Sequence, residues 1–100
     1  MHKVLALLER MPWREALKEV LPHEGLYRHL LKEVGPDFVY SMPWNEIRTV
    51  LEIGAGMGFM TAPLAKFADT VVALEAVPER AEFIDRRMKQ DGIANVYPRG

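Results

Sequence analysis

The feature that most constrains this chain is a glycine-spaced segment that reads Glu52-Ile53-Gly54-Ala55-Gly56-Met57-Gly58. It ends a short β-branched run, residues 49–53, whose continuous apolar character is typical of a strand buried in a parallel sheet. A helical apolar pattern starts soon after it, at Met60. Alternate glycines allow a sharp turn, and they let a ligand approach where a Cβ would intrude. The segment therefore predicts a strand–loop–helix unit with a ligand-binding loop, because free N–H groups at the helix start point at that loop.

The remainder of the second half repeats this alternation of strand and helix. Residues 70–75 form another β-branched run, and residues 94–97 look like the start of a third strand. Between them, Pro78 suits the first position of a helix and Gly92 suits its end. The order β-α-β-α-β predicts an α/β fold with a parallel sheet of three strands and right-handed crossovers.

The first half of the chain is predicted to be helical. Its apolar residues recur at helical spacing in two stripes, which comprise Trp13, Ala16, Leu17, Val20 and Leu21, and then Leu26, Tyr27, Leu30, Leu31 and Val34. A weaker helix is expected over residues 4–11, and a short helical turn over residues 43–47. We therefore expect an N-terminal helical segment, residues 1–48, that packs on the sheet of residues 49–100.

Composition excludes several classes of function. Thirteen Lys and Arg against fourteen Asp and Glu give a net charge of −1, so no strong field attracts nucleic acid. The absence of cysteine excludes disulfides and thiolate metal sites, and the three histidines lack metal-ligand spacing, so no metal is expected. No apolar run is long enough for a signal peptide or a membrane span. We expect a cytoplasmic protein without a membrane or nucleic-acid partner.

A carboxylate at the end of the second strand limits the classes of ligand that the loop could bind. Glu75 would lie at the carboxyl end of that strand, beside the loop, where it can accept two hydrogen bonds from a ribose diol. The dinucleotide fingerprint Gly-x-Gly-x-x-Gly would require a third glycine at position 59, which is Phe59. A nicotinamide-dependent oxidoreductase is therefore disfavoured.

The pattern Glu-x-Gly-x-Gly-x-Gly resembles the first motif of the class I S-adenosylmethionine-dependent methyltransferases, and residues 71–75 resemble their second motif. The resemblance covers residues 49–100 and implies a Rossmann-like sheet with S-adenosylmethionine as its cofactor. It also implies a set of cofactor-binding residues, namely Glu52, Gly54, Ala55, Gly56, Gly58, Glu75 and Ala76. In that family the glycine loop lies under the methionine moiety and the first acid fixes the loop or the ligand's amino group. The second acid holds the ribose hydroxyls, and Ala76 lies against the adenine.

Members of the family have longer chains and larger sheets, so the predicted Rossmann-like sheet is incomplete. We expect the cofactor-binding part of a methyltransferase domain. The sequence assigns neither the acceptor nor the catalytic residues, and it leaves open whether this chain is enzymatically active by itself. Three alternatives then remain for what happens at the far edge of the first strand. The helices of residues 1–48 cover it, a second copy pairs with it in a homodimer, or the chain is a fragment. A non-enzymatic module that self-associates through this edge or through its helices is the rival hypothesis.

The sequence also predicts the environment of two further groups of side chains. Tyr40, Met42 and Trp44 precede the first strand and are expected to pack the connector, with a cover over the cofactor, its aromatic faces on the sulfonium, as the alternative. The basic residues of the last helix are expected to form a solvated face; they are Arg80, Arg86, Arg87 and Lys89.

Overall fold

A computed structural model of the chain describes residues 2–20 and 38–100. The helices and strands, in chain order, are α1 (His2–Leu7), α2 (Trp13–Val20), α3 (Phe38–Ser41), β1 (Thr49–Ile53), α4 (Thr61–Phe67), β2 (Thr70–Leu74), α5 (Pro78–Gln90) and β3 (Val96–Arg99). The stripe predicted between Leu26 and Val34 lies outside the described residues. The longest helix of the described ranges, α5, has 13 residues, and no helix there has the length and apolarity to cross a membrane.

The three strands form a parallel sheet in the order β1-β2-β3. Thr49 lies opposite Thr70, Ile53 opposite Leu74, and Val71 opposite Val96. Each strand is joined to the next by one helix, as parallel neighbours require. The predicted α/β class and the β-α-β-α-β order are therefore confirmed.

Helices α4 and α5 cover one face of this sheet. Side chains alternate along a strand, so Val71 and Ala73 of β2 point to the same face, and both are fully buried. They pack in one core with apolar residues of both helices, of the position after α4 and of β3, namely Ala62, Leu64, Ala68, Ile84, Met88 and Val96. Pro63 fits in α4 because it lies in the first turn, where its missing N–H has no partner to lose.

The opposite face of the sheet is exposed at β1. Leu51 and Ile53 are 58% and 79% exposed, and Tyr97 of β3 is 45% exposed. Within the described residues β1 has a strand neighbour on one side only. What pairs with or covers this edge, including a second copy of the chain, stays a prediction.

Helices α1 and α2 pack against α5, on the helical side of the molecule. Their apolar residues form a second core with Leu8, which follows α1, and with one residue of α5; this core comprises Val4, Leu8, Trp13, Ala16, Leu17 and Phe83. The backbone N–H of Trp13 donates to Gln90 Oε1 at 2.7 Å, and Gln90 Nε2 donates to the Met11 carbonyl at 3.1 Å. Residues 2–20 are thus fixed to α5, whereas the proposed boundary at residue 48 stays a prediction.

The aromatic residues before β1 pack the connector. The ring of Trp44 stacks on Phe67 with centroids 5.5 Å apart, and Tyr40 meets the same ring edge-on at 5.8 Å. Phe67 is the last residue of α4, and the glycine segment lies before the first residue of that helix. Tyr40 and Trp44 therefore contact the end of α4 that is remote from the predicted ligand loop.

Candidate functional site

The loop between β1 and α4 turns at three glycines with positive φ. These angles are +73° at Gly54, +61° at Gly56 and +86° at Gly58, a region that costs a residue with a Cβ appreciable strain. A Cβ at Gly54 or Gly56 would have no atom within 4 Å, so both face open space. A Cβ at Gly58 would lie 3.2 Å from Met88 Cε, so this glycine allows the loop to pack closely on α5.

The start of the loop is tied to β2 by its backbone. The amides of Gly54 and Ala55 both donate to the carbonyl of Leu74, each at 2.9 Å. The side chain of Ala55 is buried in the core beneath the loop. Ala55 therefore supports the loop from beneath, because its N–H donates to Leu74 and its carbonyl accepts from the Gly58 N–H at 3.1 Å.

Glu75 is fixed against the loop from the end of β2. Its Oε1 accepts a hydrogen bond from the Gly56 N–H at 2.8 Å, and its Oε2 accepts one from the Val77 N–H at 2.9 Å. An ionised carboxylate oxygen can accept two hydrogen bonds, so the described bonds leave one position on each oxygen. This geometry suits two neighbouring hydroxyl groups.

A hollow of about 340 Å³ lies beside Glu75, at the carboxyl ends of β1 and β2. Ligands of open parallel sheets bind at such ends, and this volume is at the lower limit of small-molecule sites. Its lining comprises Ile53, Gly54, Leu74, Glu75, Ala76 and Gly100. A larger hollow of about 450 Å³ beside Trp13 and Gln90 is remote from the glycine turn, so the smaller one is the better candidate.

Glu52 acts on the helix that follows the loop. Its side chain accepts a hydrogen bond from the hydroxyl of Thr61, which is fully buried at the first position of α4. Glu52 therefore fixes the position at which the loop enters the helix. The structure thus places Gly54, Glu75 and Ala76 in the lining of the hollow, and Gly56 adjoins it through its hydrogen bond to Glu75. Contacts beneath or behind the loop hold the remaining predicted residues, Glu52, Ala55 and Gly58.

The two carboxyl groups have opposite pKa shifts. Hydrogen bonds from the N–H groups of Val77 and Gly56 hold the pKa of Glu75 below its ordinary value of 4.5, and the charge of Arg80 acts in the same direction. Burial raises the pKa of Glu52 above 4.5, against the opposing hydrogen bond from Thr61.

We expect these shifts to give opposite pH dependences of folding stability. Glu75 contributes stability that is full above pH 4.5 and is lost as the pH falls through its folded pKa. Glu52 contributes stability that is full below pH 4.5 and is lost as the pH rises through its folded pKa. The free energy of unfolding can be measured with urea at several pH values. Glu75→Gln should remove part of the stability loss at acidic pH, and Glu52→Gln should remove part of the stability loss at higher pH. If both variants change the dependence of the free energy of unfolding on pH in the same way, this assignment is contradicted.

Arg87 of α5 contacts the loop, and its position differs from the one predicted from the sequence. It was expected on a solvated face, but it is fully buried, and its Nη1 donates to the Met57 carbonyl of the loop at 3.1 Å. The neighbouring Arg86 does lie on the wet face, where it pairs with Glu82 at 3.3 Å. Arg87 follows Ile84 by three positions, so the buried stripe of α5 already contained the signal.

No group of three histidine, aspartate or glutamate side chains in residues 2–20 and 38–100 has the arrangement of a metal site. Two of the three histidines, His23 and His29, lie outside the described residues.

The chain resembles known proteins over most of its length. The sequence profile of the ribosomal RNA adenine dimethylase family matches residues 27–99. A protein-L-isoaspartate O-methyltransferase of Alcanivorax borkumensis is 29% identical over 95% of this chain and 48% of its own length. One from Yersinia pestis is 30% identical over 98% of this chain and 52% of its own. The chain therefore spans about half the length of the curated relatives it matches.

Solved structures agree with this assignment of the fold. The YcgJ protein of Bacillus subtilis superposes with a TM-score of 0.53 at 23% identity, over 70% of this chain and 28% of its own. A Leishmania major S-adenosylmethionine-dependent methyltransferase superposes with a TM-score of 0.50 at 23% identity, over 95% of this chain and 37% of its own. The predicted resemblance is thus confirmed: the chain belongs to the ribosomal RNA adenine dimethylase family, within the class I S-adenosylmethionine-dependent methyltransferases.

Proposed function

We propose that this chain binds S-adenosylmethionine at the hollow beside Glu75 and provides the cofactor site of a methyltransferase. The observation that carries the proposal is the carboxylate of Glu75. It is held by the Gly56 and Val77 amides and retains one acceptor position on each oxygen. The ribose of an adenosyl group presents two neighbouring hydroxyls to such a carboxylate.

The residues around the hollow fit the other parts of the cofactor. A Cβ at Gly54 or Gly56 would point into open space. Because glycine has no Cβ, the methionine moiety has room to approach the backbone there. Ala76 is exposed and lines the hollow beyond Glu75, on the side proposed for the adenine. Glu52 holds Thr61 and with it the start of α4, which keeps the loop in its turned form.

The chain's task in the reaction is alignment. S-adenosylmethionine, when bound, supplies a methyl group that is already activated by the adjacent positive sulfur. The loop would fix the methionine moiety and Glu75 the ribose, on either side of the sulfonium, which lowers the entropic cost of reaching the geometry of transfer. A general base is needed only if the acceptor must lose a proton, and we assign none.

For the acceptor, we propose an isoaspartyl carboxylate of a damaged protein. Relatives that match nearly the whole chain are named protein-L-isoaspartate O-methyltransferases. A carboxylate is already deprotonated near neutral pH, so its methylation depends on alignment alone. Adenine in ribosomal RNA is the second candidate, because the matching family profile covers residues 27–99, although a net charge of −1 gives RNA no electrostatic attraction.

A methyl-transfer assay tests this choice of acceptor. The protein is incubated with S-adenosylmethionine labelled in the methyl group and with one of three acceptors: an isoaspartyl peptide, the same peptide with ordinary aspartate, or an adenine-containing RNA hairpin. We expect base-labile label in the isoaspartyl peptide, none in its aspartyl control, and a loss of the label with Glu75→Gln. Label in the RNA alone would replace the first acceptor by the second, and equal label in both peptides would refute recognition of isoaspartate.

A further inference from the structure

Arg87 lies where three parts of the molecule meet. It belongs to α5, its guanidinium is 4.0 Å from the ring centroid of Trp13 in α2, and it is 4.7 Å from that of Phe59 at the end of the loop. The two rings also touch each other edge-on, with centroids 6.1 Å apart. A cation over aromatic faces is attracted by their electron density, and this attraction is stronger where water is excluded. One fully buried side chain thus joins the N-terminal helices, the loop and α5.

The contact with the loop is directional. Arg87 Nη1 donates to the carbonyl of Met57, which lies between Gly56 and Gly58, two of the three glycines at which the loop turns. The N–H of Gly56 is one of the two donors that hold Glu75, at 2.8 Å from Oε1. Arg87 therefore acts one residue away from the hydrogen bond that orients the proposed ribose-binding carboxylate.

The ring of Trp13 is itself held in place on α5. Its Nε1 donates to Asp91 Oδ2 at 3.1 Å, and its backbone N–H donates to Gln90 Oε1 at 2.7 Å. Trp13 is only 1% exposed. The position of α2 is consequently transmitted to the Arg87 guanidinium by a fixed side chain, and from there to the Met57 carbonyl.

We propose that Arg87 is a positioning residue for the glycine loop and that, through it, helices α1 and α2 set the affinity of the site for its adenosyl ligand. The part that concerns affinity rests on the proposed cofactor function. The part that concerns the loop does not, because the contacts exist in the protein without ligand.

The experiment compares three variants with the wild-type protein. Arg87→Met keeps an unbranched side chain but removes the charge and the donor, and Arg87→Lys restores both in part. Arg86→Met is the matched control, because the same change is made one position away on the wet face of α5. Two quantities are measured below the unfolding transition of every variant: amide hydrogen exchange at Gly56 and Gly58 without ligand, and the calorimetric dissociation constant of S-adenosylhomocysteine.

We expect Arg87→Met to accelerate exchange at both glycines and to weaken S-adenosylhomocysteine binding by about tenfold, the size expected for losing one hydrogen bond from a charged donor. Arg87→Lys should regain most of this loss, and Arg86→Met should match the wild type within about twofold, as a surface change should. Unchanged exchange at Gly56 and Gly58 in Arg87→Met would overturn the proposal. If the wild type does not bind S-adenosylhomocysteine, the cofactor function fails, while the exchange data still decide the role of Arg87.

The wild-type protein provides the second test, should Arg87→Met fail to fold. Coupling between two sites is reciprocal, so a ligand that orders the loop must also tighten the contact between Arg87 and Trp13. Saturating S-adenosylhomocysteine should therefore shift the indole N–H resonance of Trp13 and leave that of Trp44, which stacks on Phe67, unchanged. A ligand-induced shift of the loop amides with no change at Trp13 would overturn the proposal.

Discussion

Gly58→Val is expected to lower the free energy of unfolding by about 2–5 kcal/mol, a large part of the total stability of a small domain. The backbone at Gly58 has a φ of +86°, which a β-branched residue adopts only under strain. The new side chain would also meet Met88 Cε at 3.2 Å and Ile84 Cγ1 at 3.4 Å, and both of these residues are buried in the core. Overpacking therefore adds to the backbone strain, and urea denaturation measures the sum.

Gly92→Val is the matched control for this change. Gly92 has a similar φ of +71°, but a Cβ there would have no neighbour within 4 Å. The control should therefore suffer the backbone strain alone, about 1–3 kcal/mol. If the two variants lose equal stability, the close packing of the loop on α5 contributes nothing and our account of Gly58 is wrong.

Glu75→Gln is expected to weaken the binding of S-adenosylhomocysteine by roughly 10- to 100-fold, as the loss of hydrogen bonds to a charged group predicts. The carboxylate accepts from two backbone amides, those of Gly56 and Val77. A carboxamide has one acceptor oxygen and one donor nitrogen, so it cannot accept from both amides. It would lose one of these bonds and one of the two positions proposed for the ribose hydroxyls. Isothermal calorimetry measures the change.

Glu82→Gln is the control for the loss of a negative charge. Glu82 lies on the exposed side of α5, where it pairs with Arg86. Its replacement should leave the dissociation constant within about twofold of the wild type, because surface charges are screened at physiological ionic strength. A Glu75→Gln variant that binds as tightly as Glu82→Gln would remove the carboxylate from the proposed site.

The sheet and its loop were predictable because local sequence determines them. β-branched runs at residues 49–53 and 70–75 favour strands, and glycine is the residue that adopts a positive φ at least cost. The different roles of the three glycines were not predictable. Gly58 has the same sequence signature as Gly54 and Gly56, and only its distance to α5 shows that it is needed for packing as well as for the turn.

The apolar stripe of α5 includes the position of Arg87, but the charge of this side chain argues against its burial. A charged residue on a helix is expected in water because burial costs free energy, and only specific partners offset that cost. The partners found in the structure, Trp13, Phe59 and the Met57 carbonyl, lie about 30 to 70 positions away in the sequence. The same reason applies to α1 and α2, whose amphipathic stripes predicted helices but could not show that they pack on α5.

The most direct test of the account is an amide ¹H–¹⁵N spectrum of the wild-type protein during titration with S-adenosylhomocysteine, with NAD⁺ as the comparison ligand. We predict saturable shifts that are largest at Gly54, Gly56, Glu75 and Ala76, and no saturation with NAD⁺. No saturable binding of S-adenosylhomocysteine, or shifts centred on residues remote from the glycine loop, would contradict the proposal that this loop and Glu75 form an adenosyl site.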